Sequence, residues 1–319
     1  MKQEGNYFEK MKFVQKIKEN GICRSIKDVL NVLIINQFNF NWRMRILKKD
    51  MSDYQLLKKK YSNILKEISW NKENLEPVPK RIWICWFQGE ENAPDIVKIC
   101  IASVRKNFSE YNIVVITEKN ISEYIEIPQY IKEKRDKGLI KSAHYSDIVR
   151  LKLLNQYGGI WLDSTVLCTS KNFLDGLIKE GTRLFVYQDF KALDPYVGMS
   201  NWCILSCPQN PYLVSVEKLL LRYWETHKKV ENYFIFHLFF MLIAEYKPEE
   251  WKKIPTYSCQ PPHIMQDELF DMYDETRYKQ ILKMTDVHKL SYKFEKSEFE
   301  RKETIYKYLE NHFLIKGKE

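Results

Sequence analysis

The stretch "YGGIWLDST", residues 157–165, decides the fold that we predict from the sequence. Gly158 ends a helical pattern, and the apolar residues after it are typical of a buried strand. We expect "IWLDSTVLC" (160–168) to be strand. Ligands of an open α/β sheet bind beyond the carboxyl ends of its strands, so Asp163 is placed to face one. The alternative is a strand that happens to end in a carboxylate.

The residues before this stretch predict the helix that leads into it. Ser142 is expected to cap the helix, and Gly158 to end it. Asp147 and Arg150 lie three positions apart and hence on one helix face, where a simple intrahelical ion pair is one interpretation. The predicted buried face has four residues at helical spacing: Ile148, Leu151, Leu154 and Tyr157.

Two apolar runs further upstream flank another helical pattern. Residues 81–87 follow two prolines and lead to Gly89, which predicts a first buried strand. "APDIVKICIASVRKN" (93–107) has helical spacing, and "NIVVIT" (112–117) predicts a second buried strand. This β-α-β order is typical of a Rossmann-like, mostly parallel sheet with flanking helices.

The composition indicates a globular protein. The 319 residues are 45% hydrophobic and 14% aromatic, which is enough to fill a large core. Seven scattered cysteines form no CxxC pair, so neither a disulfide framework nor a zinc ribbon is expected, and a reducing cytosol fits best. The polar start is unlike a signal peptide, and the apolar runs at 29–35 and 234–244 are shorter than the roughly 20 residues that span a bilayer.

The net charge of +9 belongs mainly to the start of the chain. Residues 1–75 hold sixteen Lys and Arg against eight Asp and Glu, whereas the rest hold 35 against 34, so no nucleic-acid groove is expected in the main domain. We predict a basic helical region over 1–75 and a main domain over 76–319. The basic region either lies on an anionic membrane surface or packs on the main domain as solvated helices. Its apolar positions include Leu30, Leu33, Ile34, Phe38, Phe40 and Trp42, then Leu56, Leu57, Tyr61 and Ile64.

Four segments, in this order, resemble the bacterial capsular polysaccharide synthesis glycosyltransferases of family 32. They are "RIWICWFQG" (81–89), "SAHYSDIVRLKLL" (142–154), "YGGIWLDST" and "VHKLSYK" (287–293). The resemblance covers roughly residues 78–293, and the combination of motifs makes it specific. It implies an A-type glycosyltransferase fold, a UDP-sugar donor, Mn²⁺ or Mg²⁺, and retention of anomeric configuration.

The resemblance also implies ligands for the cation and the phosphates. Related transferases end the pattern in Asp-x-Asp, so Asp163 matches the first carboxylate and Thr165 stands at the second. Water and the donor's phosphates can supply further oxygen ligands to a hard cation. His288 is expected to complete the metal shell, with a surface histidine as the alternative. Lys289 and Lys293 are expected against phosphate oxygens.

Other residues are assigned to the two substrates. The resemblance implies that Asp147 and Arg150 hold the sugar and ribose hydroxyls of the donor. The first strand ends in Trp86, Phe87 and Gln88. There an aromatic side chain can stack on uracil and an amide can hydrogen-bond to its edge, with packing of Trp86 in the core as the alternative. The acceptor side is assigned to Asp189 and Asn201, with ordinary loop residues as the alternative. His237 is expected to be a satisfied core histidine.

The expected reaction moves galactose or glucose from a UDP-sugar to a lipid-linked oligosaccharide in capsule or other surface polysaccharide synthesis. The enzyme would be cytoplasmic and peripheral on the inner face of the cell membrane. One alternative is a protein-modifying transferase, because the large clostridial toxins share a similar Asp and Arg helix and a GG-x-x-x-D strand. Another is an inactive membrane-associated binding protein of the same fold, with Thr165 as the lesion.

Overall fold

A computed structural model describes residues 22–67, 70, 75–188 and 195–315 of the protein, with side chains from residue 44 to residue 314. The chain forms two compact units, Met1–Ser52 and Asp53–Glu319. A helix, Ile22–Lys66, contributes residues to both, so helix is present in much of the range where it was predicted. Residues 1–21 lie outside the described part. None of the helices in the described part is long and apolar enough to cross a membrane.

The second unit begins at Asp53, so the last turns of this helix are part of it. Tyr61 is buried with its ring edge against Phe239, the two centroids being 5.2 Å apart. The Tyr54 hydroxyl donates to Glu245 Oε2 at 2.5 Å. Leu56, another of the apolar positions at helical spacing, is exposed.

The core of the second unit is a five-stranded sheet in the order β2-β1-β3-β6-β5. β1 pairs in parallel with β2 and β3, whereas β6 pairs antiparallel with β3 and β5. The strands of the protein are β1 (Arg81–Cys85), β2 (Asn112–Ile116), β3 (Gly159–Asp163), β4 (Val166–Cys168), β5 (Leu184–Gln188), β6 (Met199–Ser206) and β7 (Val287–Lys289). The predicted β-α-β opening is confirmed, and the other half of the sheet is antiparallel.

Helices cover both faces of this sheet. Strand side chains alternate between faces, so Trp83 of β1 enters one core while Ile82 and Ile84 enter the other. This mixed sheet with flanking helices confirms the predicted fold class and is consistent with an A-type glycosyltransferase fold. The α-helices of the second unit after Lys66 are Asp95–Asn107, Ile121–Tyr124, Gln129–Asp136, Ser142–Tyr157, Asn172–Lys179, Pro211–Thr226, Ile235–Tyr246, Pro248–Trp251, Ile264–Asp267, Glu275–Met284, Lys296–Glu300 and Ile305–Glu310. Short 3-10 helices lie at Glu90–Asn92, Pro195–Val197 and Pro261–His263, and a π-helical turn lies at Asn311–Ile315.

The predicted strand 160–168 is two strands that belong to different sheets. β3 ends at Asp163, the chain turns at Ser164 and Thr165, and β4 pairs antiparallel with β7 in a separate two-stranded sheet. The register sets Val166 opposite Lys289. This turn brings the C-terminal motif beside the end of β3.

The helix Ser142–Tyr157 ends as predicted but begins differently. Ser142 is its first residue rather than its cap, since Lys141 holds the cap position without a side-chain bond. Gly158 ends the helix at φ 64°, a left-handed conformation that favours glycine, and a Cβ there would lie 2.7 Å from Pro208 Cδ. The close turn lets β3 start immediately after the helix.

Candidate active site

The site is a cavity of about 440 Å³ beyond the carboxyl ends of β1 and β3. Helix Ser142–Tyr157 supplies one wall, and the segment after β7 supplies another. The cavity is lined by ten of the residues that were assigned from the sequence to the substrates or the cation: Trp86, Phe87, Gln88, Asp147, Arg150, Asp163, Thr165, Asn201, Lys289 and Lys293. The topology thus gathers residues that are far apart in the chain.

Arg150 lies at the centre of the charged groups. Its Nη1 donates to Asp147 Oδ1 at 2.7 Å and its Nη2 to Asp163 Oδ1 at 2.9 Å. The guanidinium lies over the Trp161 ring, 4.7 Å from the centroid, and Arg150 is only 3% exposed. The intrahelical pair exists, but Arg150 also joins the helix to the end of β3. A buried bridge between two carboxylates fixes both of them.

Two further donors orient these carboxylates. Asn201 Nδ2 on β6 donates to Asp147 Oδ1 at 2.9 Å, and Trp161 Nε1 donates to Asp163 Oδ1 at 3.0 Å. Trp161 was not predicted as a site residue. The alternation of strand side chains was the available signal, because it places Trp161 and Asp163 on the same face of β3.

Lys289 reaches the same carboxylate from the two-stranded sheet. Its Nζ lies 3.5 Å from Asp163 Oδ2 and donates to Thr165 Oγ1 at 2.5 Å. The backbone N–H of Leu290 donates to the Thr165 carbonyl at 2.8 Å, which fixes the register beside this contact. Thr165 therefore lies at the site, where it accepts a hydrogen bond from an ammonium group.

A family model described as "Capsular polysaccharide synthesis protein" matches residues 34–309, most of the chain. The chain belongs to this family. Two curated proteins are similar to shorter parts of it. O-glycosyltransferase braB of Annulohypoxylon truncatum is 30% identical over 94 residues, 27% of this chain and 22% of that protein. O-glycosyltransferase PaGT of Phomopsis amygdali is 31% identical over 94 residues, 26% of this chain and 23% of that protein. The chain spans less than a quarter of the length of these curated relatives.

Solved glycosyltransferase structures show a distant likeness to this member of the capsular polysaccharide synthesis family. The PaToxG glycosyltransferase is 16% identical, covers 82% of this chain and 98% of its own, and has a TM-score of 0.39. The glycosyltransferase GlyE of Streptococcus pneumoniae TIGR4, in its apo form, is 11% identical, covers 75% of this chain and 64% of its own, and has a TM-score of 0.36.

The aromatic wall of the cavity follows β1. Trp86 meets Tyr292 edge-on, with the ring centroids 5.4 Å apart, and both residues line the cavity. Phe87 is held by the Arg135 guanidinium, 4.4 Å from its centroid, and Gln88 is exposed. Trp86 is partly exposed in the cavity, and Phe87 also packs against the core.

Two predicted site residues are not found in the cavity. His288 has no exposed surface, and its Nε2 lies 3.3 Å from Thr169 Oγ1. Side chains alternate along β7, so His288 points away when Lys289 points in. Its placement corrects the prediction that it is a metal ligand and excludes the surface alternative. Asp189 lies outside the described residues.

Two histidines that the sequence did not assign to the site line the cavity. His144 Nδ1 lies 3.9 Å from Asp147 Oδ2, and His144 precedes Asp147 by three residues on the same helix face, a signal that was available. His237 also lines the cavity, and burial lowers its pKa to about 4. Its Nδ1 has no hydrogen-bond partner among the described residues, which corrects its assignment as a satisfied core histidine. Both rings face the space that a substrate would fill.

The residues at Asp163 fit a divalent cation poorly. Asp163 Oδ1 already accepts from Arg150 and Trp161, and Oδ2 and Thr165 Oγ1 both face Lys289. In the part of the chain that the structure describes, no three His, Cys, Asp or Glu side chains are grouped as a metal site. The Mn²⁺ or Mg²⁺ requirement stays a prediction of the sequence.

The burial of His288 predicts a pH-dependent contribution to stability. Burial lowers its pKa from 6.5 to about 3, so the unfolded chain binds the proton first as the pH falls. The contribution is present above pH 6.5 and is lost between pH 6.5 and about 3, on the order of 5 kcal/mol in total. His288→Phe should therefore reduce the dependence of the unfolding free energy on pH, as measured by urea denaturation from pH 7 to 4. The matched control is His312→Gln at an exposed position. If the unfolding free energies of wild type and His288→Phe differed by the same amount at every pH in this range, the expectation would be contradicted.

Proposed function

We propose that this protein is a retaining glycosyltransferase that moves galactose or glucose from a UDP-sugar to a lipid-linked oligosaccharide in the synthesis of capsule or another surface polysaccharide. The observation that carries the proposal is the Asp147–Arg150–Asp163 bridge at the carboxyl edge of the sheet in a member of the capsular polysaccharide synthesis family. Ligands of α/β sheets bind at that edge. The curated relatives named O-glycosyltransferase support transfer to a hydroxyl oxygen.

The residues of the cavity have distinct roles in this proposal. Asp147 and Arg150 bind the hydroxyls of the sugar and ribose. Lys289 and Lys293 attract the diphosphate, and Trp86 stacks on uracil with Gln88 at its edge. Asn201, which holds Asp147, borders the acceptor side. Asp189 stays assigned to the acceptor as a prediction.

The chemistry needs a stabilised leaving group more than a strong base. The bond from sugar C1 to the β-phosphate oxygen breaks, and its electron pair stays on UDP. The acceptor oxygen bonds to C1 on the same face, and its proton leaves to UDP or to solvent. Positive side chains fixed before the reaction stabilise the charge that develops on the diphosphate. The buried bridge keeps Arg150 and Asp163 in position without reorganisation.

A panel of nucleotide sugars tests the proposed function. We expect UDP-galactose or UDP-glucose to raise the unfolding temperature and to release UDP slowly in the absence of acceptor, because only the folded state binds the donor. GDP-mannose and CMP-sialic acid are controls that test whether the response is specific for a uridine nucleotide. Stabilisation without UDP release would favour the inactive binding protein, and transfer to a protein would favour the protein-modifying alternative. No response to any UDP-sugar would contradict the proposal.

Residues 1–52 are proposed to hold the enzyme at an anionic membrane, where the lipid-linked acceptor lies. They contain eleven Lys and Arg against five Asp and Glu. Deleting 1–52, which leaves the packed residues from Asp53 intact, should weaken sedimentation with phosphatidylserine vesicles, and added salt should weaken binding of the full chain. Neutral phosphatidylcholine vesicles are the control. Equal binding of both proteins, or binding that salt leaves unchanged, would refute the membrane role.

A further inference from the structure

The position that the sequence assigned to a metal ion contains a positive side chain. Lys289 Nζ lies between Asp163 Oδ2, at 3.5 Å, and Thr165 Oγ1, at 2.5 Å. These are the two residues that match the carboxylate pair of related transferases. Thr165 is neutral, so a single carboxylate at this pair faces a single ammonium group. When Arg150 and Asp147 are counted as well, two positive side chains face two carboxylates, so the local charge is balanced without an added ion.

The backbone fixes Lys289 in this position. β4 and β7 pair with Val166 opposite Lys289, and the Leu290 N–H donates to the Thr165 carbonyl at 2.8 Å. The Lys289 side chain is 19% exposed, so most of its length is packed. The other contact of Nζ is the Leu290 carbonyl at 3.4 Å, again an acceptor. The ammonium group is therefore held in place by contacts with neighbouring residues and is not a freely moving surface charge.

A divalent cation at the same place would meet repulsion. Arg150 Nη2 already lies 2.9 Å from Asp163 Oδ1, and Lys289 faces Oδ2. An ion held by Asp163 and Thr165 would have one carboxylate among its protein ligands and would lie beside two positive groups. Because the repulsion between like charges grows with the product of the charges, a divalent ion would be repelled by both groups. Hard cations bind better where several anionic oxygens converge.

We propose that Lys289 takes the place of the metal ion and stabilises the UDP leaving group, so that transfer needs no divalent cation. The proposal rests on the proposed glycosyltransferase function. When the donor binds, Nζ exchanges its bond to Thr165 for one to a diphosphate oxygen. The C1–O bond breaks with its electron pair on UDP, the acceptor oxygen bonds to C1, and the acceptor proton leaves to UDP or solvent. Lys289 stays protonated throughout, and Thr165 holds it ready when no donor is bound.

The test measures UDP release from UDP-galactose and UDP-glucose by the full chain in EDTA and in Mn²⁺. We expect rates within about twofold of each other, and by calorimetry the same affinity for UDP in both buffers. Lys289→Gln should lower the rate about 100-fold and weaken UDP binding, since a neutral amide cannot stabilise the leaving group as a charge does. Lys296→Gln, an exposed lysine outside the cavity, should match wild type.

A double variant makes the test sharper. Thr165→Asp with Lys289→Gln restores a carboxylate pair and removes the competing charge, so its UDP release should require Mn²⁺ and stop in EDTA. Wild-type release that EDTA abolishes and Mn²⁺ restores would overturn the proposal and leave the glycosyltransferase function intact. A Lys289→Gln protein that is folded and fully active would also overturn it. No UDP release in either buffer from any donor would instead refute the glycosyltransferase function on which the proposal rests.

Discussion

Asp163→Asn should lower the rate of sugar transfer by about 100-fold or more, equivalent to about 2.7 kcal/mol of transition-state stabilisation. Asp163 accepts from Arg150 and Trp161 through one oxygen and faces Lys289 with the other. An asparagine keeps the size but offers one acceptor oxygen and no charge, so the positive groups lose their fixed orientation.

The same substitution should leave the fold intact. The Asp163 side chain is 29% exposed, and Arg150 keeps its bond to Asp147 when Asp163 loses its charge. UDP release from the best UDP-hexose and the unfolding temperature are the two measurements. Asp271→Asn, at an exposed position outside the cavity, is the matched control. Activity within about tenfold of wild type would mean that Asp163 is only a strand end.

Arg150→Ala should reduce both stability and activity. Arg150 is almost completely buried between Asp147 and Asp163, and its removal leaves Asp147 buried without its main partner. Breaking a buried ion pair from one side costs about 3–5 kcal/mol. Urea denaturation measures the loss, and UDP titration by calorimetry measures the accompanying loss of donor affinity.

A matched control separates the buried bridge from ordinary ion pairs. Arg222 makes an exposed pair with Glu225 that solvent screens, so Arg222→Ala should change the free energy of unfolding far less than Arg150→Ala. Arg150→Lys keeps the charge but lacks the planar guanidinium that bonds both carboxylates. Its stability and UDP affinity should therefore fall between those of wild type and Arg150→Ala. An Arg150→Ala protein as stable as Arg222→Ala, with unchanged UDP affinity, would contradict a bridging role.

Local patterns predicted the parts of the fold that depend on neighbouring residues. The apolar runs of β1 and β2, the helix between them and the stop at Gly158 all follow from spacing and turn chemistry. The same patterns placed Asp163 at a strand end and Asp147 and Arg150 on one helix face. The family resemblance assigned all three to one site, and the structure brings them into contact. Their catalytic roles stay predictions.

The errors concern properties that depend on pairing partners. Apolar letters continue through residues 160–168, and they do not reveal that the chain leaves one sheet at Ser164 and joins another. The register of β7 against β4 decides that Lys289 rather than His288 faces the cavity. His237 has apolar neighbours in sequence, yet the packing of its helix places it on the wall of the cavity that Arg150 and Asp147 also line.

A crystal structure of the protein with UDP tests the central claim most directly. The account predicts the nucleotide in the cavity beyond β1 and β3, with uracil against Trp86, the ribose near Asp147 and Arg150, and a diphosphate oxygen within hydrogen-bond distance of Lys289. Lys289 would then have left Thr165. A nucleotide bound outside this cavity, or inside it with the diphosphate away from Lys289, would contradict the account.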